Sequence, residues 1–171
     1  MGAEGPDDAD DAGAARVLVA SLGGTWIAVD AEQVAGVVRP TPVTPVGGTP
    51  RWVRGVAAVR GSVCPVVDAA WLAAAPAADG AAADWWVLVT DGARSAALAG
   101  LRVWRVAAVA APTGEEDGEA DPAAAVAGLP AAGVARLAAD SGRGAEALPA
   151  VVRRLDVPSL LDLLHAPTPA P

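Results

Sequence analysis

Residues 51–68 read Arg-Trp-Val-Arg-Gly-Val-Ala-Ala-Val-Arg-Gly-Ser-Val-Cys-Pro-Val-Val-Asp, and this stretch decides the fold class. Val56 to Val59 is a short apolar run, Arg60-Gly61 interrupts it, and Ser62 to Val67 is a second run rich in β-branched residues. Two such runs around a glycine-containing break predict a β-hairpin. Gly61 supplies, without steric cost, the backbone dihedrals that tight hairpin turns need. Pro65 has no N–H to give to a ladder, so its strand is expected at a sheet edge or with a bulge. Asp68 opens an alanine-rich stretch, where a carboxylate can cap a helix. Read instead as a functional carboxylate, it would need a partner in a cleft.

Similar punctuation continues outward. Arg16 to Leu22 and Thr25 to Val29 predict two strands around a Gly23-Gly24 turn, and Ala31 to Val34 can make one helical turn. Pro40, Pro42, Pro45 and Pro50 keep the next segment extended and irregular. A short helix is expected from Asp68 to Ala75, ended by Pro76, with Ala77 to Ala83 as a connector. Trp85 to Val89 opens a second β region with a hairpin partner after it, Arg102 to Ala110 alternates partly, and further strands are expected at Gly133–Ala138 and Val151–Leu155. Asp91-Gly92 is the turn dipeptide of that hairpin. Residues 111–132 read as a long acidic loop and 140–146 as a loop insertion. Pro158 opens a last helix through Leu164, a favourable first-turn position for proline. Many short strands, few helices and Gly/Pro turns predict an all-β barrel architecture. The alanine-rich strands fit less well, because alanine has low β-propensity; by periodicity alone 123–139 reads as helix or strand.

The chain has 171 residues, enough for one domain or two small subdomains sharing a core. It lacks Phe and Tyr, so six Trp carry all the aromatic bulk and are expected to pack in cores or at barrel ends. The net charge of −8 is concentrated in two tracts, Glu4–Asp11 and Glu115–Asp121. Both lack bulky apolar residues, so both are expected to stay disordered. Neither supplies cations to neutralise phosphates, which weighs against nucleic acid or anionic membrane as a primary partner. Arg51, Arg54 and Arg60 form the one candidate basic surface. A single Cys excludes an internal disulfide. No apolar leader or membrane-length run is visible, so the cytoplasm is the expected compartment. The expected domains are an acidic tail over 1–15, a folded region over 16–165 and a Pro-rich tail over 166–171.

Candidate chemistry is sparse. Cys64 alternates with valines in an apolar strand and reads as a small buried hydrophobe. His165 follows an apolar helix and reads as a surface side chain. A Cys–His pair is the remaining catalytic arrangement that these two residues leave open. Thiol and imidazole ligands are too few for metal spacing. A phosphate-cradling Gly-x-x-x-x-Gly-Lys cannot occur, because the chain has no Lys. No cofactor is expected. Arg60 has two readings: a turn arginine whose stem covers apolar surface, or a fixed donor fork beside a groove.

The run Gly55-Val56-x-x-Val59-Arg60-Gly61-x-Val63-x-Pro65-Val66-Val67-Asp68 resembles the signature of CheW-like domains, and weaker similarity extends over about residues 16–165. That resemblance implies two packed five-stranded SH3-like β-barrels with short helices. It implies a non-enzymatic chemotaxis adaptor that joins the cytoplasmic tip of chemoreceptors to the regulatory domain of the histidine kinase CheA. By matching positions, a receptor-binding groove would include Leu18, Ala31, Val34, Val37 and Val103, with Arg60 at its edge. Two positions depart from the family pattern. Gly36 stands where an acid is common, and Leu101 where an Asp often precedes the residue matching Arg102. The alternatives are a CheW-like regulatory domain of a larger kinase, against which the tail-like ends weigh, and a small-molecule-binding barrel or Cys-dependent enzyme.

Overall fold

The structure is a computed structural model that describes residues 15–72, 85–110, 129–138 and 148–165. Apart from Ala15, the expected tails lie outside these residues, as do the connector at 77–83 and the insertion at 140–146. Among the described residues the chain is mostly strand. In order it forms β1 (Arg16–Leu22), β2 (Thr25–Asp30), a 3-10 turn (Ala31–Gln33), β3 (Val34–Val38), β4 (Val43–Thr44), β5 (Val53–Val59) and β6 (Ser62–Asp68). There follow α1 (Ala69–Leu72), β7 (Trp86–Thr90), β8 (Ser95–Ala99), β9 (Arg102–Ala108), β10 (Ala131–Arg136), β11 (Val151–Leu155) and α2 (Val157–His165). β10 begins two residues inside the stretch read as the acidic loop.

Two sheets result. One has five strands in the order β10-β11-β2-β1-β9, and the other six in the order β3-β7-β8-β6-β5-β4. The resemblance implied five and five. The sixth strand is β4, whose Val43 and Thr44 pair with Ala57 and Val56 inside the Pro-rich segment. Pro42 and Pro45 flank it and cannot donate, which limits it to two residues. A bridge between Val109 and Leu137, just past β9 and β10, brings the edges of the five-stranded sheet together at one end. Ala110 N–H donates to Arg136 O at 2.8 Å and Ala138 N–H to Ala108 O at 3.0 Å beside it. Among the described residues neither sheet is closed by a continuous ladder.

β6 is an interior strand, between β8 and β5, so the expectation that Pro65 marks an edge is corrected. The parallel ladder with β8 starts only at Val66, so no β8 carbonyl waits for the N–H that Pro65 lacks. The tryptophan expectation also needs revision. Trp86 is buried and Trp26 and Trp104 stack with centroids 5.1 Å apart, but Trp71 and Trp85 are exposed. Arg39 lies over the Trp85 ring at 5.3 Å, a cation–π contact that suits a half-wet indole.

The alternating patterns of both sheets converge on one apolar layer. Leu18, Leu22, Ile27 and Val29 of the first sheet meet Val67, Val87, Val89 and Leu98 of the second, with Leu160 and Leu161 of α2. α2 starts where Asp156 accepts from the Ser159 N–H at 3.1 Å and from its hydroxyl at 2.7 Å, a side-chain N-cap. Arg94 then ties α2 to the β7–β8 turn, reaching Asp91 at 2.6 Å and Asp162 at 2.7 Å. The Arg94 backbone N–H and guanidinium hold the Asp91 carboxyl at about 2, below its ordinary 3.8.

Two outcomes follow for stability. Gly55 has φ +137, and a Cβ there would stand 2.2 Å from Thr44 O and 2.9 Å from Pro45 Cα. Gly55→Ala should therefore force β4 away from β5 and lower unfolding free energy by about 2–4 kcal/mol, measured by urea denaturation. An acid held below its ordinary pKa adds stability above pH 3.8 that is lost as pH falls toward about 2. Asp91→Asn should flatten that part of the acid unfolding curve followed by circular dichroism.

Candidate functional site

The chain passes from one sheet to the other through residues 30–34. Asp30 ends β2, the 3-10 turn Ala31–Gln33 follows, and Val34 begins β3. Arg154 of β11 pins the start of this crossing, with Nε donating to Asp30 Oδ1 at 3.1 Å and the second nitrogen to Oδ2 at 2.6 Å. Such a two-pronged pair fixes direction as well as distance. Val34 and Val37 then lie half-buried on β3, paired with Val89 and Val87 of β7. Both pack against the intersheet layer, as does half-buried Val103 of β9. Leu18 lies in the same layer, between Val29 and Val106 on the neighbouring strands, and is only 6% exposed. Leu18, Val34, Val37 and Val103 thus all belong to the intersheet apolar seam, with Leu18 buried within it. Ala31 sits half-buried in the turn that carries the chain across.

Arg60 reaches β3 on the face opposite Val34 and Val37, where Gly36 and Val38 pair with Leu88 and Trp86 of the second sheet's own cluster. Val59 pairs with Ser62, leaving Arg60-Gly61 as a two-residue loop with φ of 50° and 81°. Positive φ at both positions is the hairpin geometry whose twist matches the strands. The sequence argument credited Gly61 with that geometry and missed that Arg60 shares it. The guanidinium of Arg60 donates to Ala35 O at 3.0 Å, joining the hairpin tip to β3. It lies directly over Gly36, where a Cβ would stand 2.8 Å from one terminal nitrogen and 3.0 Å from Cζ.

Its sequence neighbour Arg54 is engaged elsewhere. Arg54 grips Asp68, with Nε at 2.9 Å and a terminal nitrogen at 2.6 Å from Oδ2. The other Asp68 oxygen accepts from the Trp71 N–H at 3.0 Å, so this carboxylate caps α1 and both its oxygens are engaged. Cys64 is buried among Ala57, Val59, Val66 and Trp86, and that burial pushes its thiol pKa up. Among the described residues it packs as a small hydrophobe, and His165 closes α2. Among the described residues no group of His, Cys, Asp and Glu could hold a metal ion. None of their helices is long and apolar enough to cross a membrane.

Two features escaped the sequence. Gln33, in the crossing turn, has a buried Oε1 without a hydrogen-bond partner. A cavity of about 160 Å³ lies between the β5–β6 region and the end of α2, lined by Trp52, Val53, Val56, Pro65, Leu163 and Leu164 among others. No seam residue lines it. Trp52 and the prolines were legible as bulky or rigid, but only the docking of α2 makes them a wall.

Two β-sheets packed face to face across one apolar seam define a β-rich interaction module. The family model of the CheW-like domain matches residues 16–165, and the chain belongs to that family. The family places it among chemotaxis coupling adaptors, which are scaffolds rather than enzymes. The fold is shared with the scaffolding protein TtCheW from Thermoanaerobacter tengcongensis, with a TM-score of 0.61 at 16% identity. That match covers 84% of this chain and 89% of the other. No curated protein matches the chain.

The buried thiol gives a direct check. Cys64 should react with an alkylating reagent at pH 8 at least about a hundredfold more slowly in the folded protein than in denaturant. Mass spectrometry over time would measure both rates, and comparable rates would show an accessible, activated thiol.

Proposed function

We propose that the chain acts in the cytoplasm as a non-enzymatic adaptor between the helical tip of a chemoreceptor and the regulatory domain of the kinase CheA. Each sheet then serves as one SH3-like barrel of the pair. The receptor tip lies along the seam formed by Leu18, Ala31, Val34, Val37 and Val103. The kinase domain takes a separate barrel-end surface. The observation that carries this reading is the convergence of Leu18, Val34, Val37 and Val103 on one intersheet layer, with the three valines half-buried. An amphipathic helix can bury its own apolar stripe against such a row.

The mechanism is geometric. Signal passes as the relative placement of two partners on one rigid body, which needs packed sheets that do not yield. The shared layer of leucines and valines supplies that stiffness, and the Arg154–Asp30 and Arg94–Asp162 pairs hold the late strand and helix to it.

Val34→Asp tests the seam. A charge placed in an apolar contact costs several kcal/mol when desolvated and unpaired. Affinity for a receptor-tip fragment should fall by about a hundredfold or more, while affinity for the kinase regulatory domain stays within about threefold and circular dichroism is unchanged. Unchanged receptor affinity in a folded variant would remove the seam from the reading. Equal loss of both affinities would show that Val34 serves the fold instead.

A further inference from the structure

The cavity beside α2 is apolar and built on fixed backbone. Trp52 and Leu164 pack against the intersheet layer and also line the cavity. The backbone around Trp52 is held at both ends. Its carbonyl accepts from the Asp68 N–H at 2.7 Å, and the Val53 N–H donates to Pro50 O at 2.9 Å. The rim at 46–49 is braced by the Thr49 hydroxyl, which donates to Val46 O at 2.8 Å. Val46 and Leu163, both at the wall, are each 43% exposed, so apolar surface there meets water. Pro50 and Pro65 add two rigid rings, and among the described residues no charged one lines the cavity.

Such a cleft selects its occupant by chemistry. A carboxylate drawn into it finds no cation, and burying that charge unpaired is costly. The chain has five stretches outside the described residues, and four of them contain Asp or Glu. The exception is 166–171, Ala-Pro-Thr-Pro-Ala-Pro, which follows directly on α2. A proline-spaced segment favours the polyproline II form, loses little entropy on docking and suits an aromatic-lined groove. Leu163 and Leu164 stand in the last turn of α2, so this segment starts at the cavity's own wall. Pro167 disfavours helical backbone at Ala166, which favours a change of direction at that point. Extended at about 3.1 Å per residue, 167–171 reaches roughly 15 Å. That exceeds the roughly 10 Å across β4, β5 and β6, the neighbouring strands that frame the cavity. We infer that the cavity is a polyproline-type site whose occupant is the chain's own 167–171 segment, with a proline ring laid against the Trp52 indole. The seated segment covers Val46 and Leu163 and clamps the last turn of α2 to β5 and β6. No seam residue lines the cavity, so this inference is independent of the receptor reading.

The test compares, by NMR, the full chain with a variant that stops at Ala166. In the full chain, ring protons of Pro167, Pro169 or Pro171 should give NOEs to the Trp52 indole, whose signal is assigned with Trp52→Phe. Removing 167–171 should shift the Trp52 indole N–H signal and leave those of Trp26 and Trp104 in place. It should also raise amide exchange at Leu163 and Leu164 by about tenfold, because the last turn of α2 loses its clamp. Changing the three prolines to Ala should shift the same signal and raise exchange as truncation does. Leu163→Asp puts a charge at the cavity wall and should abolish the NOEs, with circular dichroism as the fold control.

An unmoved Trp52 signal and unchanged exchange after truncation would overturn the inference. If the alanine variant keeps the signal and exchange of the full chain, apolarity suffices without proline, and the polyproline site falls. NOEs that survive Leu163→Asp in a folded variant would put the segment on the indole but outside the cavity, which also overturns it. If the NOEs fade on dilution, the occupant is the segment of a second copy, and the intramolecular seat is overturned.

Discussion

Everything in this fold depends on one shared apolar layer between the two sheets. The first sheet contributes Leu18, Leu22, Ile27 and Val29, the second Val67, Val87, Val89 and Leu98, and α2 adds Leu160 and Leu161. Each sheet also has a smaller apolar cluster of its own, built largely from Val and Ala around Val17, Val19 and Val152 or around Val66, Trp86 and Ala97. Alanine removes little apolar area from water, roughly one methyl's worth of side chain, so those local clusters are weakly stabilised. The leucines are concentrated where the sheets meet. Neither sheet buries its face without the other, and this is why a module with two sheets behaves as one body.

The candidate site follows from that arrangement. Where two sheets meet, the crossing segment must leave one and enter the other, and its side chains cannot all be covered. Val34 and Val37 are among the residues left half-buried by this crossing. Arg60 reaches the other face of β3, because a hairpin tip of the second sheet folds back over Gly36.

Local chemistry was legible in the sequence and long-range pairing was not. The Arg60-Gly61 break, the Gly23-Gly24 turn and Val151–Leu155 each stand where residue types set them, since turns and short β-branched runs are decided over a few residues. The Asp68 cap was likewise readable from a carboxylate before alanines. The parallel pairings of β6 with β8 and of β11 with β2 carry no local mark. That is why an edge was one of the two placements expected for Pro65, beside a bulge, and why a two-residue β4 between prolines went unseen. The family resemblance supplied the expected receptor-facing residues, of which Leu18, Val34, Val37 and Val103 pack in or against the intersheet layer. The seat of Arg60 over Gly36 depends on residues far apart in the chain and could be found only in three dimensions.

The order of strands has a bearing on how the protein is made. The six-stranded sheet is drawn from one unbroken stretch, β3 through β8, spanning Val34 to Ala99. The five-stranded sheet is split around it: β1 and β2 come before, and β9, β10 and β11 after. During synthesis the inner sheet can pair as soon as β8 has emerged from the ribosome. The β1–β2 hairpin can then lay Leu18, Ile27 and Val29 against that sheet, but its edges stay unpaired until β9 and, past Val151, β11 are made. Contacts between such distant segments form late and slowly. A nascent chain stalled between β8 and β11 would present a finished sheet beside an orphaned hairpin, the state most open to capture by a chaperone or by another unfinished copy.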